Sequence, residues 1–341
     1  MNKISIALPV FNGANFIREA IESILIQDYS DFEFVIVDNA STDETISIIN
    51  EYVQDDRIKL FCFKEYLGQV ENVNRAAKLC TNNWIHFFCH DDIMLQGCIN
   101  HCMQVINTSN YEDFALLSHK PAWLFMNNIV NVPFNAINGN KVFEYQDFIS
   151  KSKIDTVEVI EHKKDITAIN ILNGNGVYLP ALTTAVVKKD VFIELGLFDE
   201  KYIHFDIFFW MRLLKTHSYI ELDKALTLTR IHGNQVAVDA RKSLRTIEDH
   251  KIFWKEYLNF IVAKPTLKQK TTVFLKPITT AVGIITVAII KNGFFKGIKL
   301  LFSLPISWIS FSLVFLPLRY ISEIKLINKL KKYLTVDMIY P

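Results

Sequence analysis

Net charge is almost missing from this chain: 37 basic side chains oppose 36 acidic ones among 341 residues, a balance of +1. Without an overall field of one sign there is nothing to recruit DNA or RNA, so charge has to be read segment by segment. A disulfide framework is missing too. The five cysteines, Cys62, Cys80, Cys89, Cys98 and Cys102, are an odd number scattered through an α/β segment, the usage expected of reduced thiols in a cytosolic compartment. The chain opens on a short alternating strand, Ile4, Ile6, Leu8, rather than the basic start and apolar stretch of a secretory signal, so export is not expected. Internal repeats are lacking. Half of the residues are apolar and 21% are charged, enough for a sizeable core or two domains and unlike a disordered, collagenous or disulfide-stapled chain.

The first hundred residues alternate strand-like and helix-like pieces at short spacing, the pattern of a parallel sheet with crossover helices. Lys3 to Val10 reads as a strand, and Phe16, Ile17, Ala20, Ile21, Ile24 and Leu25 give the stretch from Asn15 to Gln27 one apolar helical face. Phe32 to Val37 is the second strand. Ser41 and Glu44 form a capping box, which predicts a helix starting just after Asp38-Asn39-Ala40 and places Asp38 at a strand's carboxyl end. A third strand, Ile58 to Phe63, a helix, Gln69 to Cys80, and a fourth strand, Trp84 to Cys89, lead to His90-Asp91-Asp92. In open α/β sheets the ligand crevice lies outside those carboxyl ends, so Asp38 and Asp91-Asp92 should face one cleft.

From about Phe114 to Leu172 the periodicity is poor, which predicts short strands and an insertion. A clearer pattern resumes at Thr183-Thr184-Ala185-Val186-Val187, then Gly196-Leu197-Phe198-Asp199-Glu200, a helix from about Asp206 to Leu214, and a last helix around Ser243 to Phe260. Lys264 to Thr272 reads as a linker. Beyond it Val273 to Ile290 carries one charge, Lys276, and Leu300 to Leu318 carries none; as a helix the latter would extend roughly 28 Å, close to the thickness of a bilayer core. Pro305 and Pro317 interrupt it, so a spanning helix, a broken interfacial helix, a re-entrant hairpin and core helices all fit. Tyr320 to Leu334 places Ile321, Ile324, Ile327, Leu330 and Leu334 on one face and lysines elsewhere, a basic amphipathic helix suited to an anionic leaflet.

Adjacent carboxylates after a strand offer a divalent cation hard ligands on one side and open positions on the other, and Asp91-Asp92 meets that need as well as it would decorate a helix N-terminus. Zinc is a competing idea, from His86, Cys89, His90, Cys98, His101 and Cys102. Strand alternation points His86 and Cys89 to opposite faces and no Cys-x-x-Cys pair exists, so buried thiols account better for these cysteines.

Set in order, Pro9-Val10-Phe11-Asn12, Val37-Asp38-Asn39-Ala40-Ser41-Thr42-Asp43 and Phe87-Phe88-Cys89-His90-Asp91-Asp92 resemble a family 2 glycosyltransferase with a GT-A nucleotide-sugar-binding domain, over residues 3 to 235. The resemblance implies an α/β fold, a Rossmann-like, mostly parallel central sheet with flanking helices, to which the C-terminal apolar and amphipathic helices are added. It divides the chain into a catalytic domain, 1–262, with a nucleotide-binding half, 1–110, and an acceptor half, 111–262, followed by a membrane-associating region, 263–341. It also implies that Pro9 and Asn12 line the base pocket, that Asp38 accepts hydrogen bonds from the base, and that Gly68 and Asn74 belong to the donor site. Asp91 would face the ribose or donor sugar and Asp92 would bind Mn2+ or Mg2+. Relatives have a second acid where Asn39 stands, a third where Cys89 stands, and an arginine where Val73 stands.

Gly196-Leu197-Phe198-Asp199-Glu200, His204-Phe205-Asp206, Trp210 and Arg212 resemble the family's second centre, with Phe205 replacing a glutamate. The resemblance implies that Asp206 is the general base of an inverting transfer, since an acceptor hydroxyl attacking the anomeric carbon must lose its proton and an Asp is ionised at neutral pH. A cap of its own helix is compatible with that role. Arg230-Ile231-His232 matches a late Arg-x-His element, which makes His232 a candidate for the metal's open side as well as a structural histidine.

The expected activity is metal-dependent transfer of one sugar from a UDP- or dTDP-sugar to a hydroxyl of a saccharide or lipid-linked acceptor. Its place is the cytoplasmic face of the plasma membrane, in bacterial surface polysaccharide assembly such as O-antigen or capsule, with no nucleic acid partner. Two alternatives stand beside it. Transfer to a polyprenyl phosphate would not need Asp206, and a catalytically silent sugar-nucleotide-binding membrane protein would account for Asn39, Cys89 and Phe205.

Overall fold

A computed structural model describes residues 2–110, 113–125, 128–132, 141–151, 157–164, 166–172, 179–232, 245–262, 264–271, 273–275, 282 and 285–286. The segments expected to meet a membrane, at 300–318 and 320–334 and most of 273–290, lie outside the described residues. No helix among the described residues is long and apolar enough to cross a membrane.

The expected alternation is present. Strand β1 (Ile4–Val10) leads to helix α1 (Ile17–Leu25), β2 (Phe32–Asn39), α2 (Thr45–Asn50), β3 (Ile58–Phe63), α3 (Gln69–Leu79) and β4 (Trp84–Phe87). Helix α1 buries Ile17, Ala20, Ile21 and Ile24 completely, positions three and four apart that fall on one face, and each isoleucine contributes about 2 kcal/mol by leaving water. One local expectation fails: α2 begins at Thr45, and Ser41 does not cap it. Ser41 Oγ instead accepts the Asn12 N–H at 2.9 Å, while the Asp43 carboxylate accepts the Thr45 N–H at 3.0 Å. The hydroxyl was drawn off by a neighbouring loop that the local pattern could not reveal.

The second half holds β5 (Ile93–Met94), α4 (Cys98–Thr108), β6 (Phe114–Phe125), β7 (Ile129–Val132), β8 (Lys141–Glu144), α5 (Tyr145–Lys151), β9 (Val159–His162), α6 (Ile166–Leu172), β10 (Ala185–Lys188), α7 (Lys189–Glu194), α8 (Phe205–Leu213), β11 (Ser218–Ile231) and α9 (Arg245–Ile261). The strands form one sheet whose main order is β3-β2-β1-β4-β10-β6-β11-β5. Its first four members run parallel, with Ile4 opposite both Phe32 and Trp84. Direction reverses at β10, which pairs antiparallel with β4, Val186 opposite His86, and with β6, Val186 opposite Leu117. The topological switch point, where ligand crevices form in such sheets, lies one strand earlier, between β1 and β4, where the order 3-2-1 gives way to 4.

Two compact units divide the chain: Met1–Ala168 with Tyr178–Glu200 and Phe205–Arg230, and Ile169–Val177 with Lys201–His204 and Ile231–Pro341. This division does not fall at the boundary expected after residue 262. In the second unit α9 buries Phe253, Trp254, Tyr257 and Leu258. Its Glu256 accepts the Tyr202 hydroxyl at 2.6 Å and its Asp249 accepts the Ile203 N–H at 2.9 Å, so the short 201–204 segment is fastened to that helix.

Candidate active site

Asp38 closes β2 with 2% of its surface exposed. Its Oδ2 accepts the Ser41 N–H at 3.1 Å, and its Oδ1 is buried with no hydrogen-bond partner among the described residues. A carboxylate oxygen in that state is costly unless a donor arrives from outside. The loops around it are tied down. Asn12, at φ 48°, accepts the Thr42 N–H at 2.8 Å, and Asp43 accepts the Ala14 N–H at 3.1 Å. Burial works against the Asp43 charge, but hydrogen bonds from Thr45 and Ala14 hold its carboxyl below the usual range. Asn39 binds the backbone of Leu67 through both ends of its amide, which explains an amide where relatives have an acid: it fixes the loop before α3.

That loop carries Gly68, where a Cβ would meet nothing within 4 Å, and Tyr66, whose ring lies 4.6 Å from that of Phe11. Phe11 and Tyr66 are both exposed beside the end of β2, and sequence reasoning missed Tyr66 because only the fold brings it to Phe11. Pro9 sits in β1 opposite Val37. Asn74 is occupied elsewhere: its Nδ2 donates to the Phe198 carbonyl at 2.9 Å and its Oδ1 accepts the Phe198 N–H at 3.1 Å. It therefore holds the turn at Gly196 and Leu197, both in the left-handed region at φ 91° and 66°.

The acidic pair follows β4. The Phe88 N–H still donates to the Ala7 carbonyl at 2.9 Å, Val10 further along β1 is opposite Asp38, and a Cβ on Gly13 would meet the His90 ring, so the ends of β2 and β4 lie at the same edge of the sheet. The Thr183 side chain, in the turn before β10, lies against Cys89 and Asp92. Cys89, Asp91 and Asp92 each bring a ligand atom within 4.8 Å of the others. Burial, then the Asp91 charge, pushes the Asp92 carboxyl well above its usual range, and burial followed by Asp92, Asp91 and Asp206 does the same to the Cys89 thiol. Asp206, in the first turn of α8, thus belongs to the same charged neighbourhood. Its Oδ2 accepts the Leu182 N–H at 3.1 Å and its Oδ1 the Ile207 N–H at 2.8 Å, so it also braces the turn bearing Thr183.

Arg230 holds the pair in place. Its N–H donates to Asp92 Oδ1 at 3.0 Å, its Nη1 to the Asp91 carbonyl at 2.8 Å, and its Nη2 pairs with Glu19 of α1. Glu19 gave no sequence signal, since it reads as a surface acid on an amphipathic helix. His232 falls in the other compact unit. Asp38, Asp91, Asp92 and Asp206 are all in the first unit.

Residues 5–142 match the model of the family described as Glycosyl transferase family 2. An uncharacterized glycosyltransferase of Rickettsia typhi is 28% identical over 301 residues, 87% of this chain and 83% of its own length. The GalNAc(5)-diNAcBac-PP-undecaprenol beta-1,3-glucosyltransferase of Campylobacter jejuni is 35% identical over 109 residues, 31% of this chain and 35% of its own. Among solved structures, a mannosyltransferase of Pyrobaculum calidifontis in complex with GDP-Man and Mn2+ superposes with a TM-score of 0.54 at 14% identity, covering 97% of this chain and 88% of that one. With the parallel sheet and its acidic rim in place, residues 5–142 are a family 2 glycosyltransferase domain, and the chain shares the GT-A fold of its structural neighbours.

Proposed function

We propose that the enzyme transfers a sugar, with inversion, from a nucleoside diphosphate donor to a hydroxyl of a lipid-linked saccharide. The observation that carries this reading is the Cys89-Asp91-Asp92 group with Asp206 in its charged neighbourhood, at the edge of a sheet whose β2 ends in Asp38, where Oδ1 has no partner among the described residues. Asp38 takes a donor N–H from the base, in a pocket edged by Pro9, Phe11, Asn12 and Tyr66. Uridine or thymidine is the base the family resemblance implies. Gly68, without a side chain at the head of α3, leaves room for the donor to approach, and Asn74 positions the 196–199 turn.

A divalent ion fits the residues present. Asp91 and Asp92 offer hard oxygens and Cys89 a thiol, and burial together with the neighbouring Asp91 charge raises the Asp92 carboxyl despite Arg230, a strain that a bound cation would relieve. When bound, Mn2+ or Mg2+ supplies charge neutralisation for the departing diphosphate. Arg230 orients Asp92 from its other side. Asp206 takes the proton of the acceptor hydroxyl, and the N–H groups of Leu182 and Ile207 hold its carboxylate in position.

The lipid-linked acceptor is supported by the name of the Campylobacter relative, and the lysine-flanked apolar segments after residue 273 would place the enzyme on the cytoplasmic leaflet. Surface polysaccharide assembly is the setting. The test is a panel of nucleotide sugars assayed for released nucleoside diphosphate, with membranes supplying the acceptor. One donor should release diphosphate in a manner dependent on Mn2+ or Mg2+, and Asp92→Ala should abolish it; no turnover with any donor would refute the reading. Both oxygens of Asp206 are engaged by backbone N–H groups, which favours a second reading, transfer to a polyprenyl phosphate, in which Asp206→Asn keeps most activity.

A further inference from the structure

A second group of metal-competent side chains lies in the core of the first unit, away from the acidic rim. His86 on β4, Cys98 in the first turn of α4 and His119 on β6 are each 0% exposed, and each brings one ligand atom within 4.8 Å of the other two. The register explains the meeting. His86 is opposite Val186, and Val186 is opposite Leu117, so His119, two residues beyond Leu117, shares the sheet face of His86. Helix α4 packs its Cys98, Cys102 and Met103 against the core cluster that contains Val186 and Leu117.

The hydrogen bonds fix which ring nitrogens are left over. His86 Nε2 faces the Thr183 carbonyl at 3.1 Å, and a carbonyl only accepts, so Nε2 carries the hydrogen and Nδ1 keeps a lone pair. That Nδ1 is buried without a partner among the described residues. His119 Nδ1 faces the Lys120 carbonyl at 3.2 Å, which leaves the Nε2 lone pair toward Cys98 Sγ at 3.6 Å. The Thr227 hydroxyl, at 3.5 Å, is too far to satisfy it well. A histidine that ligates through one nitrogen while donating its other N–H to a backbone carbonyl is the usual outer arrangement of a metal site. With Zn–S near 2.3 Å and Zn–N near 2.05 Å, the S-to-N edge of a tetrahedron is about 3.6 Å, the separation found here. Burial keeps both rings neutral, His86 down to about 4 and His119 to about 3, the form that ligates. Cys102, one turn after Cys98 and against its thiol, stands next in line as a fourth donor.

We propose that His86, Cys98 and His119 form a buried structural site for a thiophilic divalent ion of the Zn2+ class, with Cys102 completing its shell. Sequence spacing argued against zinc because its partner histidine, 33 positions beyond His86, lies on a strand that the local pattern did not reveal. The ion would sit behind Thr183, whose carbonyl meets His86 while its side chain lies against Asp92 and Cys89, and so would brace the wall of the acidic rim.

The test uses the full chain carrying Cys89→Ser and Asp92→Ala, which removes the thiol and carboxylate of the rim. After refolding with Zn2+ and dialysis against a chelator it should retain about one metal per chain, and Co2+ in its place should give a thiolate-to-cobalt charge-transfer band with tetrahedral ligand-field bands. Cys98→Val, an apolar substitute that a plain core would accept, should remove both signals. No retained metal, a cobalt spectrum without thiolate character, or retention unchanged in Cys98→Val would each overturn the proposal. Should Cys98→Val not fold, the stoichiometry and spectrum of the chain that keeps Cys98 decide alone.

Discussion

The two sides of the sheet treat their polar residues in opposite ways. Where the strands run parallel, Asn12, Asn39, Ser41, Thr42, Asp43 and Thr45 hydrogen-bond one another's loops, and Asp38 Oδ1 is the carboxylate oxygen left without a partner among the described residues there. From β4 onward, where pairing turns antiparallel, more ionisable groups lie inside: Asp92, His86, His119, Arg230, and Lys120 paired with Glu221, against Glu33 and Asp38 on β2. Under the proposed function, donor recognition would be assembled from short loops that satisfy themselves, and the chemical groups delivered by long-range strand pairing.

Substitutions on the two sides should therefore fail differently. Asp92→Ala takes away the buried acid of the Cys89-Asp91-Asp92 group and should lower nucleoside diphosphate release about a thousandfold or more, with a matching loss of Mn2+ binding by calorimetry. Asp206→Asn should lower kcat by roughly 10²–10⁴ while leaving donor KM nearly unchanged, the signature of a general base; a mild effect would favour an acceptor that is already an anion. Asp38→Asn, on the parallel side, should instead raise donor KM about tenfold with little change in kcat, since it weakens a contact made equally before and during transfer. If Asp38→Asn collapsed kcat, the division of labour between the two sides would be wrong.

Two smaller effects concern stability. A Cβ at Gly13 would come 2.6 Å from His90 Cδ2 and 2.7 Å from Val10 Cγ2, so Gly13→Ala should cost about 1–3 kcal/mol in denaturant unfolding, chiefly by displacing His90. His86 is held neutral by burial, its folded value near 4 against an ordinary 6.5, so the unfolded chain binds the proton first as pH falls. Stability should be fully present above about pH 6.5 and decline toward pH 4; thermal melts in that window should show the slope, and His86→Gln should flatten it.

The same contrast governs what could be read in advance. Strands β1 to β4 and the helices between them are local units whose periodicity survives in short windows, and Asp38 and Asp91-Asp92 were placed by their strand ends alone. Strand β6 was not legible, because Ser118, His119, Lys120 and Pro121 interrupt its middle. They make sense only across the sheet, where Ser118 meets the Tyr219 hydroxyl at 2.6 Å from 101 positions away and Lys120 meets Glu221. Asp206 was visible through its flanking motif, but its hold on Leu182, and that of Arg230 on Glu19, depend on partners no window contains.

Asn74 has a consequence for redesign. One amide on the donor helix fixes both backbone groups of Phe198, 124 positions later, and through it the turn leading toward Asp206. Under the proposed function, grafting that turn from a homologue to change which alcohol is glycosylated should succeed only when the residue at 74 travels with it, because that amide fixes the turn's backbone.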